Sequence, residues 1–248
     1  MSTVVIAESL DFFAPLRWLR LGWQDLMRNP MPGLVHGMAC ALFGAFIFWL
    51  SKDKFWLLTG AFSGFLIVAP ILTTGLYQVS RNCTTGRCIG MQEVMDLWGS
   101  LDGRLVRFGL LLSWAGTGWV LTSAAFITWV SPVPITDPIS FVKHVVLADS
   151  GMAFQGWLML GGALAAPVFA SSVVAIPMLV DTRASLHEAV LTSWRLVGAN
   201  PIVLGFWAAI IMVLVGFAFA SMLVGLIVVV PWLAHSSWHA YVELTHRA

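Results

Sequence analysis

Two histidines stand four residues apart, His235 and His239, in the stretch PWLAHSSWHAY that runs from Pro231 to Tyr241. Residues at that spacing share one face of a helix, and two neutral imidazoles on one face can ligate haem iron or copper. His36 enters an earlier apolar run from the same expected side of the membrane and would supply a third nitrogen. His235, His239 and His36 are therefore the candidate metal or haem ligands. The competing reading is structural: two polar residues where an apolar helix surfaces into water. That reading needs no cofactor, and a single i, i+4 pair does not decide between the two. No glycine-rich phosphate loop, nucleophile elbow or HExxH pattern is present, so no catalytic residue is assigned. Cys40, Cys83 and Cys88 match neither a zinc ribbon nor a CxxC redox pair and are read as reduced thiols.

The elements that must position these histidines are membrane helices. Of 248 residues, 59% are hydrophobic and 10% charged, against roughly 45–50% and about 25% in a soluble domain. A net charge of +1 gives no general attraction to nucleic acid. Stretches apolar enough to cross the bilayer, which takes roughly 20 residues of helix, occur at about 33–51, 55–77, 106–130 and 156–180. A fifth block, 202–234, is too long for one crossing; a tight turn between Gly216 and Gly225 divides it and brings the expected number of spans to six. With the amino terminus inside, Arg17, Arg20, Arg28, Arg81, Arg87, Arg104, Arg107, Arg183, Arg195 and Arg247 fall on the cytoplasmic side, and only Lys52, Lys54 and Lys143 outside. This agrees with the positive-inside rule and places both termini in the cytoplasm. The first residues lack the features of a cleaved signal peptide, so the mature chain is expected to be the whole chain.

The chain repeats itself. Trp23 and Trp194 are each followed after five residues by Asn-Pro, and Trp98 by Arg104. Each tryptophan sits late in a short amphipathic segment: Leu16, Leu19, Trp23 and Leu26; Met91, Met95, Trp98 and Leu101; Leu186, Val190, Trp194 and Val197. Ser185 and Glu188 begin the third segment as a capping box. The even-numbered spans end alike at Pro70, Pro177 and Pro231, which are expected to kink their helices. The fold read from this pattern is all-α: a single integral membrane domain over 1–248 with six transmembrane helices as three hairpins. A short in-plane amphipathic helix precedes each hairpin, and the units cover about 13–80, 90–181 and 185–247 in a pseudo-threefold repeat. The middle copy carries the longest outer loop, Ser131–Gln155, expected to hold a short interfacial helix.

Aligned on the three prolines, the positions four and eight beyond are Thr74 and Gln78, Asp181 and Ser185, His235 and His239. All three copies are polar where a helix would leave hydrocarbon. No Asp, Glu, Lys, Arg or His occurs at 55–77, 108–130, 156–180 or 202–234. Intramembrane charges mark proton relays and ion paths; without them a proton-coupled transporter, a charge-lined channel or an intramembrane hydrolase is not expected. Gly60 to Gly64 and Gly161 to Ala166 form small-residue faces suited to close helix packing.

GLYQVSR at Gly75–Arg81, PMLVDTRASLHEAVLTSWRLVGANP at Pro177–Pro201 and PWLAHSSWHAY resemble the proteobacterial integral-membrane family called domain of unknown function 2189. The resemblance implies a multi-pass protein of the bacterial inner membrane. Members carry labels likening them to cytochrome c oxidase subunit I, which implies a respiratory context, although this chain lacks the intramembrane histidine set of a haem–copper catalytic subunit. Asn82 and Thr85 stand where the family pattern has arginine and an acidic residue. The expected function is a non-catalytic accessory or assembly subunit of a larger inner-membrane complex, with an enzymatic role left open as the less expected one. Its expected partners are membrane lipids and a membrane-protein complex such as a respiratory oxidase. Its contact surface would be Trp23, Trp98, Trp194, Trp238 and Tyr241. The alternatives are a haem- or metal-binding redox protein using the histidine pair, and a lipid or quinone carrier.

Overall fold

The computed structural model describes residues 10–51, 73–84, 91–99, 102–131, 133–135, 137–147 and 152–245. The second expected span, with Pro70 and the Gly60–Gly64 face, falls largely outside them. The described chain is helical: α1 (Ala14–Arg28), α2 (Pro30–Ser51), α3 (Thr74–Thr84), α4 (Met91–Gly99), α5 (Gly103–Val130), α6 (Pro138–Phe141), α7 (Ala153–Ser172), α8 (Ala175–Asp181), α9 (Leu186–Ala199), α10 (Pro201–Ala220) and α11 (Leu226–Leu244). Among the described residues four stretches are long and apolar enough to cross a membrane: Pro30–Trp49, Gly103–Val130, Ala153–Asp181 and Pro201–Ala220. The short helices α1, α4 and α9 each lead into one of the long ones, α2, α5 and α10. Proline opens α2 and α10, where its missing N–H costs nothing because a first-turn amide has no helical acceptor.

The fifth apolar block is divided as its glycines suggest. The turn at 221–225 separates α10 from α11, and Ser221 Oγ tightens it by donating to the Ala218 carbonyl (2.8 Å) and accepting from the Gly225 amide (2.9 Å). Met222 and Leu223 sit there at φ 55° and 70°, a left-handed conformation that costs a non-glycine residue roughly 1–2 kcal/mol. The capping box forms as read: Glu188 N–H donates to Ser185 Oγ (3.2 Å) and Ser185 N–H to Glu188 Oε2 (2.8 Å).

The two prolines that lie in described helices act differently. Pro177 has no N–H for the Val173 carbonyl, and the helix breaks there: α7 stops at Ser172 and α8 starts at Ala175. The Val174 amide at the break donates instead to Ser193 Oγ of α9 (3.2 Å). Pro231 lies inside an unbroken α11. The carbonyl it deprives is that of Ile227, and this oxygen faces Gly37 of α2 so closely that a Cβ there would collide with it.

The chain forms two compact units. The first comprises 1–42, 70–108 and 169–248, and α11 is its centre. Its buried residues, from Leu226 and Val229 through Pro231, Leu233, Ala234, His235, Ser236, Trp238, Ala240 and Tyr241 to Leu244, cover every side of the helix. Against it pack α1, α3, α8 and α10. Glycine permits the closest approaches: Gly22 of α1 lies on Ser236, Gly33 of α2 on Pro231, and Gly37 on Ile227.

The second unit comprises 43–69 and 109–168. Its core holds Ile127, Ile135, Val145 and Ala153, with Phe126, Val130, Phe141 and Trp157 packed around them. Trp157 Nε1 donates to Ser123 Oγ (2.8 Å), linking α7 to α5. The expected short helix of the outer loop is present as α6, followed by a π-helical turn over Val142–Val146. On the small-residue face, Gly161 lies beneath the Trp119 ring and Gly162 meets open space.

Gly37→Ala should lower the thermal midpoint of the detergent-solubilised protein by several degrees, because either α2 or α11 must move; such overpacking costs about 1–3 kcal/mol. Gly205→Ala in α10, where a Cβ meets nothing, should leave the midpoint unchanged or slightly higher.

Candidate functional site

The segments that follow the three prolines meet one another. Helices α3, α8 and α11 pack together in the first unit; of the polar positions read as repeats, Asp181, His235 and His239 make the ties described next, while Ser185 stands exposed and caps α9. His235, fully buried, shares a 2.7 Å hydrogen bond between its Nδ1 and Ser80 Oγ of α3. His239, one turn on, donates from Nε2 to Asp25 Oδ2 of α1 (2.8 Å). His36 donates from Nδ1 to the Pro32 carbonyl one turn back (2.7 Å). Tyr241 donates to Asp181 Oδ2 at the end of α8 (2.8 Å), and Arg81 of α3 pairs with the other oxygen of that carboxylate (3.3 Å). Glu243 completes the series, accepting from Trp18 Nε1 (2.9 Å) and pairing with Arg17.

Arg104, at the start of α5, is a second tie. It donates to the carbonyls of Leu179 (3.1 Å), Thr182 (2.9 Å) and Ala184 (2.7 Å), satisfying backbone acceptors at the end of α8 that the helix itself cannot. It also donates to both oxygens of Asp102, which holds that carboxyl below its ordinary range. The guanidinium fork makes this possible; an ammonium offers no such plane of donors.

Placed in this frame, the predicted site residues separate. His235, His239 and His36 lie in one unit. Yet their ring nitrogens are directed to three different partners. Among the described residues no three His, Cys, Asp or Glu side chains are grouped to hold one metal ion. His235 Nε2 has no hydrogen-bond partner among the described residues. Burial lowers the His235 pKa to about 4, so this imidazole, which lies beyond the spanning stretches, is neutral at physiological pH.

The tryptophans separate as well. Trp23 and Trp194 are exposed, at 40% and 46%. Trp238 and Tyr241, expected on a contact surface, are instead 3% and 1% exposed; α1 and α8 cover the face of α11 that carries them. The side chain of Trp98 lies outside the described residues. Pro177 and Pro231 are placed as above. What the sequence reading missed is the set of partners, Asp25, Ser80, Arg81 and Glu243, and the pair Gly33 and Gly37. The glycine pair had a signal, since small residues four apart on an apolar helix mark a close approach; the polar partners are ordinary helix-end residues and had none.

A helical bundle with several apolar spans, its polar side chains tying one helix to another, defines an integral membrane protein. The family described as predicted integral membrane protein (DUF2189) matches residues 57–181, just over half of the chain, and the protein belongs to it. No curated protein and no solved structure matches the chain.

Two outcomes test the polar centre. Asp25→Ala and His239→Ala should each lower the thermal midpoint, and the double variant should lose less than the sum, with a coupling of about 0.5–3 kcal/mol in a double-mutant cycle. His235 binds its proton less readily folded than unfolded. Its contribution is therefore neutral above about pH 6.5, the unfolded value, and stability falls as pH drops from there toward about 4. His235→Asn should flatten that part of the stability profile.

Proposed function

We propose that this protein is a non-catalytic accessory or assembly subunit of a larger membrane complex. The observation that carries this reading is the use made of its polar side chains. Asp25, Ser80, Arg81, Arg104, Asp181, His239, Tyr241 and Glu243 tie one helix to another. Groups spent in this way hold a scaffold in shape rather than turn over a substrate. In the proposed topology six spans form three hairpins in pseudo-threefold order, each preceded by an in-plane helix, with both termini on the cytoplasmic side of a bacterial inner membrane. The complex would be respiratory, with an oxidase as the first candidate. Trp23, Trp98 and Trp194 would be its contacts, since large amphipathic rings dominate interfaces.

The unpartnered Nε2 of His235 favours one second reading, a haem- or copper-binding protein, and the same preparation tests both. Purification of the tagged protein from native membranes in mild detergent should recover a stoichiometric membrane partner, and Trp23→Ala/Trp194→Ala should reduce its recovery at least several-fold without lowering the yield of the bait. Repeated recovery of the protein alone would overturn the subunit reading. A visible absorbance band that disappears in His235→Ala would replace it with the haem reading.

A further inference from the structure

The charged residues of the first unit are unevenly used. Asp11, Asp25, Asp102, Asp181, Glu188 and Glu243 are held by groups of the same unit, Asp96 of α4 stands exposed, and Arg17, Arg81 and Arg104 are the arginines that pair with carboxylates. Arg20, Arg28, Arg183 and Arg195 are exposed and form no ion pair among the described residues. The unpaired charges on the exposed sides of α1 and α9 are thus the cations Arg20, Arg28 and Arg195, set among the exposed apolar side chains of Leu16, Trp23, Met27, Leu191 and Trp194.

At the elbow joining α9 to α10 lies a groove. Leu10 N–H donates to Asn200 Oδ1 (3.2 Å), and Phe12 stacks on Phe206 with ring centroids 5.0 Å apart, so the segment before α1 is fixed to that elbow. The space left there is about 320 Å³, lined by Leu10, Phe12, Ala199, Asn200, Pro201, Ile202 and Val203. It is mostly apolar and opens outward where α10 begins its apolar run. Arg195 lies one turn before Ala199 on α9, and Arg20 lies two turns beyond Phe12 along the outward row through Leu16.

We propose that this elbow binds an anionic phospholipid, with acyl chain in the groove and headgroup phosphate against Arg195 and Arg20. Charge complementarity selects the headgroup: a cationic rim facing headgroups attracts anionic lipid, and each arginine near the surface adds to the preference. The groove supplies what a free anion does not need, an apolar wall continuous with hydrocarbon.

The test uses the full chain, purified in mild detergent and exchanged into nanodiscs of phosphatidylcholine alone or mixed with phosphatidylglycerol, with retained lipid counted by native mass spectrometry. The wild type should retain phosphatidylglycerol over phosphatidylcholine. Arg20→Gln/Arg195→Gln, at exposed positions that pair with nothing described, should lose about tenfold or more of that preference. Ala199→Leu, which fills the groove and spares both arginines, should reduce retention of both lipids. Equal retention of the two lipids by the wild type, an unchanged preference in the double arginine variant, or full displacement of the lipid by inorganic phosphate with Ala199→Leu without effect would each overturn the proposal. The measurement is made on the protein freed of any partner, so its outcome is independent of the subunit reading.

Discussion

A helix enclosed by protein on all sides as it leaves the membrane has no water for its polar groups and no lipid for its apolar ones, so every group must be met by another helix. That condition governs α11, and through it the first unit. His235 and His239 need Ser80 and Asp25; Tyr241 needs Asp181; the indole of Trp232 finds the Leu19 carbonyl at 2.8 Å. Each requirement fixes one neighbour. Ser80 sets α3, Asp25 and Leu19 set α1, and Asp181 sets α8. The glycines then determine how near the neighbours come, because two helix backbones touch only where no Cβ intervenes. An unmet buried polar group costs about 1–3 kcal/mol, comparable to a sizeable part of the total stability of a domain.

The short helices α1 and α9 turn soluble-protein logic around. In α1 the residues against the protein are Ala14, Pro15, Trp18, Gly22, Asp25 and Leu26, a mixed set. The residues facing away include Phe13, Leu16, Trp23 and Met27. Helix α9 does the same, burying Ala189, Ser193 and Leu196 while exposing Leu191 and Trp194. A soluble helix arranged so would aggregate. One lying at headgroup depth has an apolar medium on its outer side, and its inner side is free to carry the polar ties.

This inversion explains which parts of the fold were legible. Four of the apolar stretches, the turn that divides 202–234, the capping box at Ser185 and the order of short helix before long helix all follow from local rules, and local rules can be read off a chain. The apolar stripes of α1 and α9 were also visible, but periodicity reports that a stripe exists, not whether protein or lipid will meet it. The polar centre was half legible. Aligned prolines marked Asp181 as the equivalent of His235 and Ser185 as that of His239, yet the pairing of His239 with Asp25 spans 214 positions of sequence, and no spacing rule reaches so far. The same holds for Arg104, whose acceptors are backbone carbonyls and so leave no trace in residue type.

The central helix of the first unit is also the last of the described helices to be synthesised. While a ribosome feeds the earlier helices into the membrane, Gly22, Gly33 and Gly37 line an unfilled slot, and Asp25, Ser80 and Asp181 wait with their partners still untranslated. Assembly of this unit therefore cannot proceed hairpin by hairpin behind the nascent chain; it must close around α11 in one late step. Quality control would meet a long-lived intermediate with its polar seams open, and a premature stop before Pro231 would leave not a shortened protein but one without its axle.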